Sequence, residues 1–291
     1  MKNTFKGTGV ALVTPFNADG SIDFQGLEQL VNYQIDNGTD FLVVQGTTGE
    51  SPTLDMGEKL EILQEVRKIN NGRTKIVFGV GGNNTMAIAK TLKELPVGID
   101  GILSVSPYYN KPTQKGILEH YKIVADSTDL PIILYNVPGR TGSNVFASTT
   151  LQLAEVDNIV AVKEASGNMG QIMEILRQRP EGFGVLSGDD ALTLPMIACG
   201  ADGVISVVAN AFPVRFNEMV HAALEGDFVK ARTAHYDLLA VTDMFFEEGN
   251  PGGVKVSLEV QGIMKQNMRL PLFPVSDGLY ERIKSETKRI L

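Results

Sequence analysis

The sequence predicts an α/β fold, a (β/α)8 TIM barrel with a small C-terminal helical appendage. Eight short apolar runs recur along the chain, a segment with helical spacing follows each run, and the last part of the chain carries helical patterns alone. The runs are continuous rather than alternating, which is typical of parallel strands covered on both faces. Eight such units in one chain of 291 residues are what a barrel requires.

The predicted strands are spread over the first 210 residues, and each is followed by a turn. A doubly wound open sheet is the alternative, but it seldom needs eight parallel strands in one run. The runs begin near Gly9, Phe41, Lys75, Gly101, Pro131, Ile159, Gly184 and Gly203.

Helix signals lie between the strands. Asp23 can cap a first helix that Asn37-Gly38 ends, and Asp55 with Glu58 resembles a capping box. Two later segments have the same spacing, and after Asn210 only helical patterns remain. These predicted helices cover residues 116–128, 168–178, 214–224, 227–246, 254–265 and 277–290. We therefore predict a catalytic barrel over residues 1–224 and a helical subdomain over residues 225–291.

Composition narrows the classes of partner. Lys and Arg number 26 against 34 Asp and Glu, which gives a formal net charge of −8. An acidic chain without a basic tract is poorly suited to nucleic acid or to an anionic membrane surface. No apolar run reaches the roughly 20 residues of a membrane span. The one cysteine, Cys199, cannot form an intrachain disulfide, and we expect a cytoplasmic protein that acts on small molecules.

Lys163 is the most informative residue at the predicted active end. A TIM barrel places its active site at the C-terminal ends of the strands, and Lys163 ends the sixth apolar run. An ordinary lysine there extends its amine to solvent. A buried amine instead has a lowered pKa, so that it can attack a ketone and form a Schiff base.

The ends of neighbouring strands carry groups that would support such chemistry. Tyr135 could move protons, although a core tyrosine with a bonded hydroxyl is the commoner use. Thr47 and Thr48 lie in a glycine-flanked turn that suits a small carboxylate, but this is also an ordinary strand–helix turn. Arg140 can hold a carboxylate bidentately or simply be a solvated loop arginine.

Other chemistries are disfavoured. His120, His221 and His235 fall on helical segments without metal-ligand spacing to Cys199, so no metal site is expected. There is no dinucleotide fingerprint and no P-loop. Acidic side chains follow the seventh run, where phosphate-binding barrels need N–H donors, which argues against sugar phosphates. These acidic residues are Asp189 and Asp190.

Five motifs in one order and spacing carry a resemblance to a known family. They are GTTGES (46–51), SPYYNKP (106–112), YNVPGRTG (135–142), VAVKEASGN (160–168) and SGDD (187–190). From about Gly9 to Asn210 the chain resembles the dihydrodipicolinate synthase family, of the pyruvate-dependent class I aldolase and N-acetylneuraminate lyase superfamily. The helical tail is also of the family's type.

The resemblance implies four catalytic residues. Lys163 matches the Schiff-base lysine that binds pyruvate, and Tyr135 matches the general acid/base. Thr47 matches a threonine that relays protons with a second tyrosine, matched by Tyr109. In the family that tyrosine reaches the active site of the neighbouring subunit, and the assembly is typically a homotetramer, a dimer of dimers.

The substrate-binding positions follow in the same way. Thr48 and Ile205 match pyruvate-contacting positions, Arg140 matches the arginine that binds the carboxylate of aspartate semialdehyde, and Gly188 matches a backbone position lining the site. The implied lyase condenses pyruvate with L-aspartate 4-semialdehyde in lysine and diaminopimelate biosynthesis, with no metal or organic cofactor. The alternatives are N-acetylneuraminate lyase, a 2-keto-3-deoxy-sugar-acid aldolase, or a non-catalytic barrel that binds a keto acid.

Two departures from the family pattern stand out. In lysine-inhibited members a cleft at the dimer interface binds lysine, and only part of that set is kept here, so we expect weak or absent feedback by lysine. The matching residues are Ser51, Asn83 and Tyr108, and the departing ones are Pro52, Met56, Lys59 and Ala87. The second departure is Asn250-Pro-Gly-Gly-Val-Lys255, where the family often has NPIPVK. We expect this segment to concern the appendage rather than the chemistry.

Overall fold

Eight parallel strands close into a barrel in the order in which they follow along the chain. The structure is a computed structural model that describes all residues from Met1 to Leu291. The predicted TIM barrel is therefore confirmed. The strands are β1 Gly7–Ala11, β2 Phe41–Val44, β3 Lys75–Gly79, β4 Gly101–Val105, β5 Ile132–Asn136, β6 Ile159–Glu164, β7 Gly184–Ser187 and β8 Gly203–Ser206.

The barrel closes where β1 pairs with β8, with Gly7 opposite Gly203 and Thr8 opposite Val204. A Cβ atom added at Gly203 would lie 2.1 Å from the carbonyl oxygen of Gly7. The closing strands can approach this closely because Gly203 has no side chain.

Twelve helices surround and extend the barrel. The predicted caps are present: Asp23 accepts a hydrogen bond from Gly26 N, and Asp55 with Glu58 forms a reciprocal capping box. The helices are α1 Phe24–Asp36, α2 Met56–Asn70, α3 Thr85–Lys93, α4 Gln114–Ala125, α5 Pro138–Thr141, α6 Ala147–Leu153, α7 Met169–Gln178, α8 Thr193–Ala198, α9 Pro213–Leu224, α10 Phe228–Glu247, α11 Gly252–Val260 and α12 Asp277–Ile290.

The C-terminal helices follow the prediction with one clear error. The helix predicted over 254–265 begins earlier and ends at Val260, and Gly262 turns the chain with a φ of 75°. Helix α9 ends at Leu224 and α10 begins at Phe228, so a turn falls at the predicted domain boundary. The division of the chain into two domains stays a prediction. None of the twelve helices combines the length and apolar composition needed to cross a lipid bilayer.

Both faces of the strands are buried, as the continuous apolar runs predict. One set of apolar side chains packs between the barrel and its helices. A second set fills the barrel interior and includes Leu103, Ile133 and Leu186. Each such side chain contributes roughly 1.5–3 kcal/mol by leaving water. The interior set reaches the mouth of the barrel at Tyr135 and Ile205, where the polar residues begin.

Candidate active site

Lys163 and Tyr135 lie side by side at the C-terminal end of the barrel. In the strand register Tyr135 of β5 pairs with Lys163 of β6, which pairs in turn with Leu186 of β7. Both side chains point into one space, since the Lys163 Nζ atom lies 4.4 Å from the centroid of the Tyr135 ring. Lys163 is only 5% exposed, so it is not a surface lysine.

Burial changes the protonation of this amine. It lowers the pKa of Lys163 from 10.5 to about 8, an effect that the charge of Asp190 opposes and the charge of Arg140 assists. Roughly a tenth of the amine is then uncharged at pH 7, compared with less than a thousandth for an ordinary lysine. An amine that is partly uncharged at neutral pH can act as a nucleophile.

Gly188 provides the space that the lysine stem needs. A Cβ atom at Gly188 would lie 2.9 Å from Cε of Lys163 and 2.7 Å from Cβ of Ala165. The Lys163 side chain is buried at the end of β6, so its aliphatic part has little room to move. A side chain at position 188 would therefore displace the amine, which gives this predicted site residue a geometric role.

Tyr135 is held as a neutral phenol. Burial raises its pKa above 10, while the charge of Arg140 and the side chain of Thr47 act in the opposite direction. A protonated phenol beside a partly uncharged amine can donate a proton to an oxygen that leaves the reacting carbon, and can take one back later.

A cavity of about 460 Å³ has Tyr135 in its lining, whereas Lys163 is buried next to Tyr135 and is not itself a lining residue. Tyr135, Arg140 and Thr47 line one part of it, and neither Asp nor Glu is among its lining residues. The charged groups of the lining are the cations Arg140 and Lys59, so the cavity favours an anionic ligand. Thr48 and Ile205 are buried and are not part of this lining.

The turn after β2 is tied to a distant part of the chain. Thr47–Gly49 forms one turn of 3-10 helix, and Glu50 follows with a left-handed φ of 55°. Asn250 Nδ2 donates to Thr48 Oγ1 at 3.0 Å, and Lys255 forms an ion pair with Glu50. The segment from Asn250 to Lys255 therefore contacts the barrel through two residues that match the family pattern, while the effect of the departing residues Gly252 and Gly253 on the chemistry stays untested.

The two tyrosines after β4 differ in placement. Tyr108 lines the cavity, and its carbonyl oxygen accepts a hydrogen bond from Asn83 Nδ2 at 3.2 Å. Tyr109 is 87% exposed, has a φ of 73°, and is not part of the lining. Within one subunit the structure does not bring Tyr109 to the predicted catalytic group, and its catalytic role stays a prediction.

The positions compared with a lysine-binding cleft do come together. Ser51, Asn83 and Tyr108 share the cavity with the departing residues Pro52, Met56, Lys59 and Ala87. Burial lowers the pKa of Lys59, and the charge of Asp55 opposes this shift. These positions therefore line the same cavity as Thr47, Tyr135 and Arg140.

Asp190 belongs to the site, although the sequence indicated only that it disfavours phosphate. It is buried, and its Oδ2 atom accepts from Val207 N at 3.0 Å and Val208 N at 3.2 Å. Burial raises its pKa to about 6. The N–H groups of Val207 and Val208 are thus bound to a carboxylate, and the exclusion of sugar phosphates stays a prediction.

No three His, Cys, Asp or Glu residues of the chain cluster in a metal-binding arrangement. The three histidines lie on helices, and none of them lines the cavity. His120 shares a hydrogen bond with Thr85 Oγ1, and His221 pairs with Asp40.

Comparison with known proteins identifies the family. The sequence model of the Dihydrodipicolinate synthetase family matches residues 4–290. The chain belongs to this family. A 4-hydroxy-tetrahydrodipicolinate synthase of Parabacteroides distasonis is 51% identical over 98% of this chain and 97% of its own. The crystal structure of dihydrodipicolinate synthase from Aquifex aeolicus has 46% identity and a TM-score of 0.94, and the match covers 98% of each chain.

A third relative bears on assembly. It is a structure described as the first monomeric dihydrodipicolinate synthase variant, with 38% identity, a TM-score of 0.96, and coverage of 98% of this chain and 97% of its own. The same fold therefore occurs in a variant that is a monomer, and family membership alone does not fix the number of subunits.

Membership in the dihydrodipicolinate synthetase family decides the broad function. The chain is an enzyme, and the pyruvate condensation of lysine and diaminopimelate biosynthesis is favoured over the alternative lyases and the non-catalytic barrel. Enzymes of this family need no external cofactor. The roles of individual residues are a separate question, to which the geometry above applies.

Proposed function

We propose that the chain condenses pyruvate with L-aspartate 4-semialdehyde through a Schiff base on Lys163. The observation that carries this proposal is the buried amine, whose pKa is lowered to about 8, placed 4.4 Å from the ring centroid of Tyr135. A binding protein would gain nothing from a desolvated nucleophile beside a proton donor.

The proposed steps use the groups in turn. The uncharged Lys163 amine adds to the keto carbon of pyruvate, and the keto oxygen leaves as water after it takes one proton from the amine and one from Tyr135. The resulting iminium acidifies the methyl group, and the Tyr135 phenolate takes up one methyl proton to give an enamine. The enamine carbon attacks the aldehyde of the second substrate, and that substrate's own amine then displaces Lys163 as the ring closes. Thr47 relays protons from Tyr135, and Tyr109 of a neighbouring subunit extends the relay.

The remaining site residues hold the substrates. Arg140 lies on the rim with Tyr135 and Thr47, where its fork suits the carboxylate of the semialdehyde. Thr48 and Ile205 contact pyruvate, and Gly188 leaves room for its covalent adduct on Lys163. A polyol-bearing substrate would instead call for several neutral hydroxyl-binding groups near the arginine.

Assembly and location complete the proposal. Tyr109 is 87% exposed in a loop with left-handed backbone, which fits a side chain that completes a neighbour's site. We propose a homotetramer in the cytoplasm, the compartment that suits a chain with one unpaired cysteine, Cys199.

Trapping with borohydride tests the Schiff base. The protein is incubated with pyruvate, reduced, digested and mapped by mass spectrometry. We expect one adduct, on Lys163, and a Lys163→Ala variant that is unlabelled and slower by roughly 10³-fold or more. The control is Lys284→Ala, which removes a partly exposed lysine of α12 and should label normally. An adduct elsewhere, or none, would rule the proposal out.

Substrate comparison tests the arginine. Arg140→Ala should lower kcat/KM for aspartate semialdehyde by roughly 10²-fold, because a charge-assisted bidentate contact is lost. An aldehyde of similar size without a carboxylate should be affected much less. Equal loss with both aldehydes would remove the assigned role, and cleavage of N-acetylneuraminate at a comparable rate would favour the alternative lyase.

A further inference from the structure

Two residues of the segment between α10 and the end of α11 reach the turn that carries Thr47 and Thr48. Asn250 contacts the Thr48 hydroxyl, and Lys255 contacts the Glu50 carboxylate. About 200 residues of sequence separate the partners of each contact. The position of this turn is therefore set from outside the strand–helix unit to which it belongs.

The ion pair between Lys255 and Glu50 is completely buried, with both side chains 0% exposed and 2.5 Å between Nζ and Oε1. Each of the two charged groups has one further hydrogen-bond partner. Lys255 Nζ also donates to the carbonyl oxygen of Asn267 at 2.7 Å, and Glu50 Oε2 accepts from Arg269 N at 3.1 Å. A buried charge that lost its partner would be strongly destabilised, so these contacts hold the Glu50 carboxylate in one place.

Glu50 also has a backbone conformation that needs support. Its φ of 55° lies in the left-handed region, which a residue with a side chain seldom adopts. Such a conformation persists where surrounding contacts determine it. The ion pair with Lys255 is such a contact, and it acts directly after Thr47, Thr48 and Gly49.

The bond from Asn250 directs the Thr48 hydroxyl. Asn250 Nδ2 donates, so it occupies a lone pair of Thr48 Oγ1, and the hydroxyl proton is left for another acceptor. Both residues are buried. A hydroxyl with a free proton next to the barrel mouth suits a carboxylate oxygen of a small keto acid.

We propose that Asn250 and Lys255 are positioning residues of the active site. Lys255 holds the turn through Glu50, so that Thr47 faces Tyr135. Asn250 orients the Thr48 proton toward the pyruvate carboxylate. This inference rests on the proposed function of Thr47 and Thr48, and it makes the helical appendage part of the catalytic apparatus.

A double-mutant cycle tests whether Lys255 holds the turn of Thr47 and Thr48 through its ion pair with Glu50. Lys255→Met leaves a buried carboxylate unpaired, whereas Glu50→Gln with Lys255→Met leaves no buried charge and should fold. We expect kcat/KM for pyruvate to fall by roughly 10- to 100-fold in the double variant, and no further than in either single variant. Arg282→Met is the matched control, because it removes an exposed ion pair between α12 and α10. It should leave kcat and KM unchanged.

A second double-mutant cycle pairs Asn250 with Thr48 and changes no charged residue. Asn250→Ala should raise KM for pyruvate by roughly 10-fold while the midpoint of thermal unfolding changes little, and it should have almost no further effect in a Thr48→Ala background. A purely structural role would instead lower the unfolding midpoint and leave KM as it is.

The outcomes separate the two proposals. If wild type is labelled by pyruvate and borohydride on Lys163 while both cycles leave kcat and KM at wild-type values in folded protein, the positioning role is overturned and the proposed function stands. If wild type is not labelled, both are overturned. Additive effects in both cycles would also overturn the positioning role.

Discussion

At the scale of single residues, surroundings decide which lysine is reactive. Burial depresses the pKa of both Lys163 and Lys255 to about 8, yet they have different partners. Lys255 is in direct contact with a carboxylate, while Lys163 faces a phenol ring and has only the longer-range charge of Asp190. The Lys255 amine is therefore held as an ammonium in an ion pair, whereas the Lys163 amine is available as a nucleophile.

The pH dependence of kcat/KM for pyruvate should report the Lys163 amine. Because the free amine is the reactive form, we expect kcat/KM to rise with pH and to level off above about 8. Asp190 favours the ammonium form. Asp190→Asn keeps an oxygen for Val207 N and Val208 N but removes the charge, so the midpoint should move to lower pH.

The neighbouring carboxylate supplies the control for that profile. Asp189 accepts from Ala191 N and is not among the charges that shift the Lys163 pKa, so Asp189→Asn should leave the midpoint in place. A midpoint that stays fixed or rises in Asp190→Asn would contradict the electrostatic account of the amine.

At the scale of elements, the packing of α11 against α10 explains one departure from the family pattern. A Cβ atom at Gly253 would lie 2.6 Å from the Cα atom of Phe245 and 3.1 Å from the carbonyl oxygen of Met244. The two helices approach backbone to backbone at this point. Because Lys255 lies in the same helix, this close approach also places its side chain within reach of Glu50.

Adding one methyl group should reveal this contact. Gly253→Ala should lower the free energy of unfolding by about 1–3 kcal/mol, since backbone atoms cannot move aside as a side chain would. Gly278→Ala is the matched control, because Gly278 is also helical and a Cβ there meets nothing within 4 Å. That variant should be neutral or up to about 1 kcal/mol more stable in urea unfolding. Equal stability of the two variants would argue against the close approach.

What the sequence predicts depends on the range of the interaction. The strands and the pairing of Tyr135 with Lys163 follow from local apolar runs and from the way parallel strand ends meet. The contacts of Asn250 and Lys255 with the turn could not be predicted, because they join segments about 200 residues apart that no local pattern relates. The charge effect of Asp190 on Lys163 depends on burial, which a sequence pattern does not measure.

At the scale of the whole molecule, charge is distributed unevenly. The chain carries a formal net charge of −8, yet the cavity lining has no carboxylate and two cations, Lys59 and Arg140. Lys59 lines this cavity together with Ser51 and Asn83. Anions are thus drawn into one opening of an otherwise acidic protein, and a cationic ligand in the same cleft would meet a positive charge.

This distribution predicts weak feedback by L-lysine. At roughly millimolar L-lysine we expect the initial rate to fall by less than about a tenth, since the ligand's side-chain ammonium is repelled by Lys59 and has no carboxylate partner in the lining. Lys59→His with Ala87→Glu would remove the repulsion and supply a carboxylate, so inhibition should appear in that variant. Lys59→Ala alone removes only the repulsion and should give an intermediate response. Strong inhibition of the wild type at sub-millimolar lysine would mean that neither Lys59 nor the missing carboxylate governs this cleft.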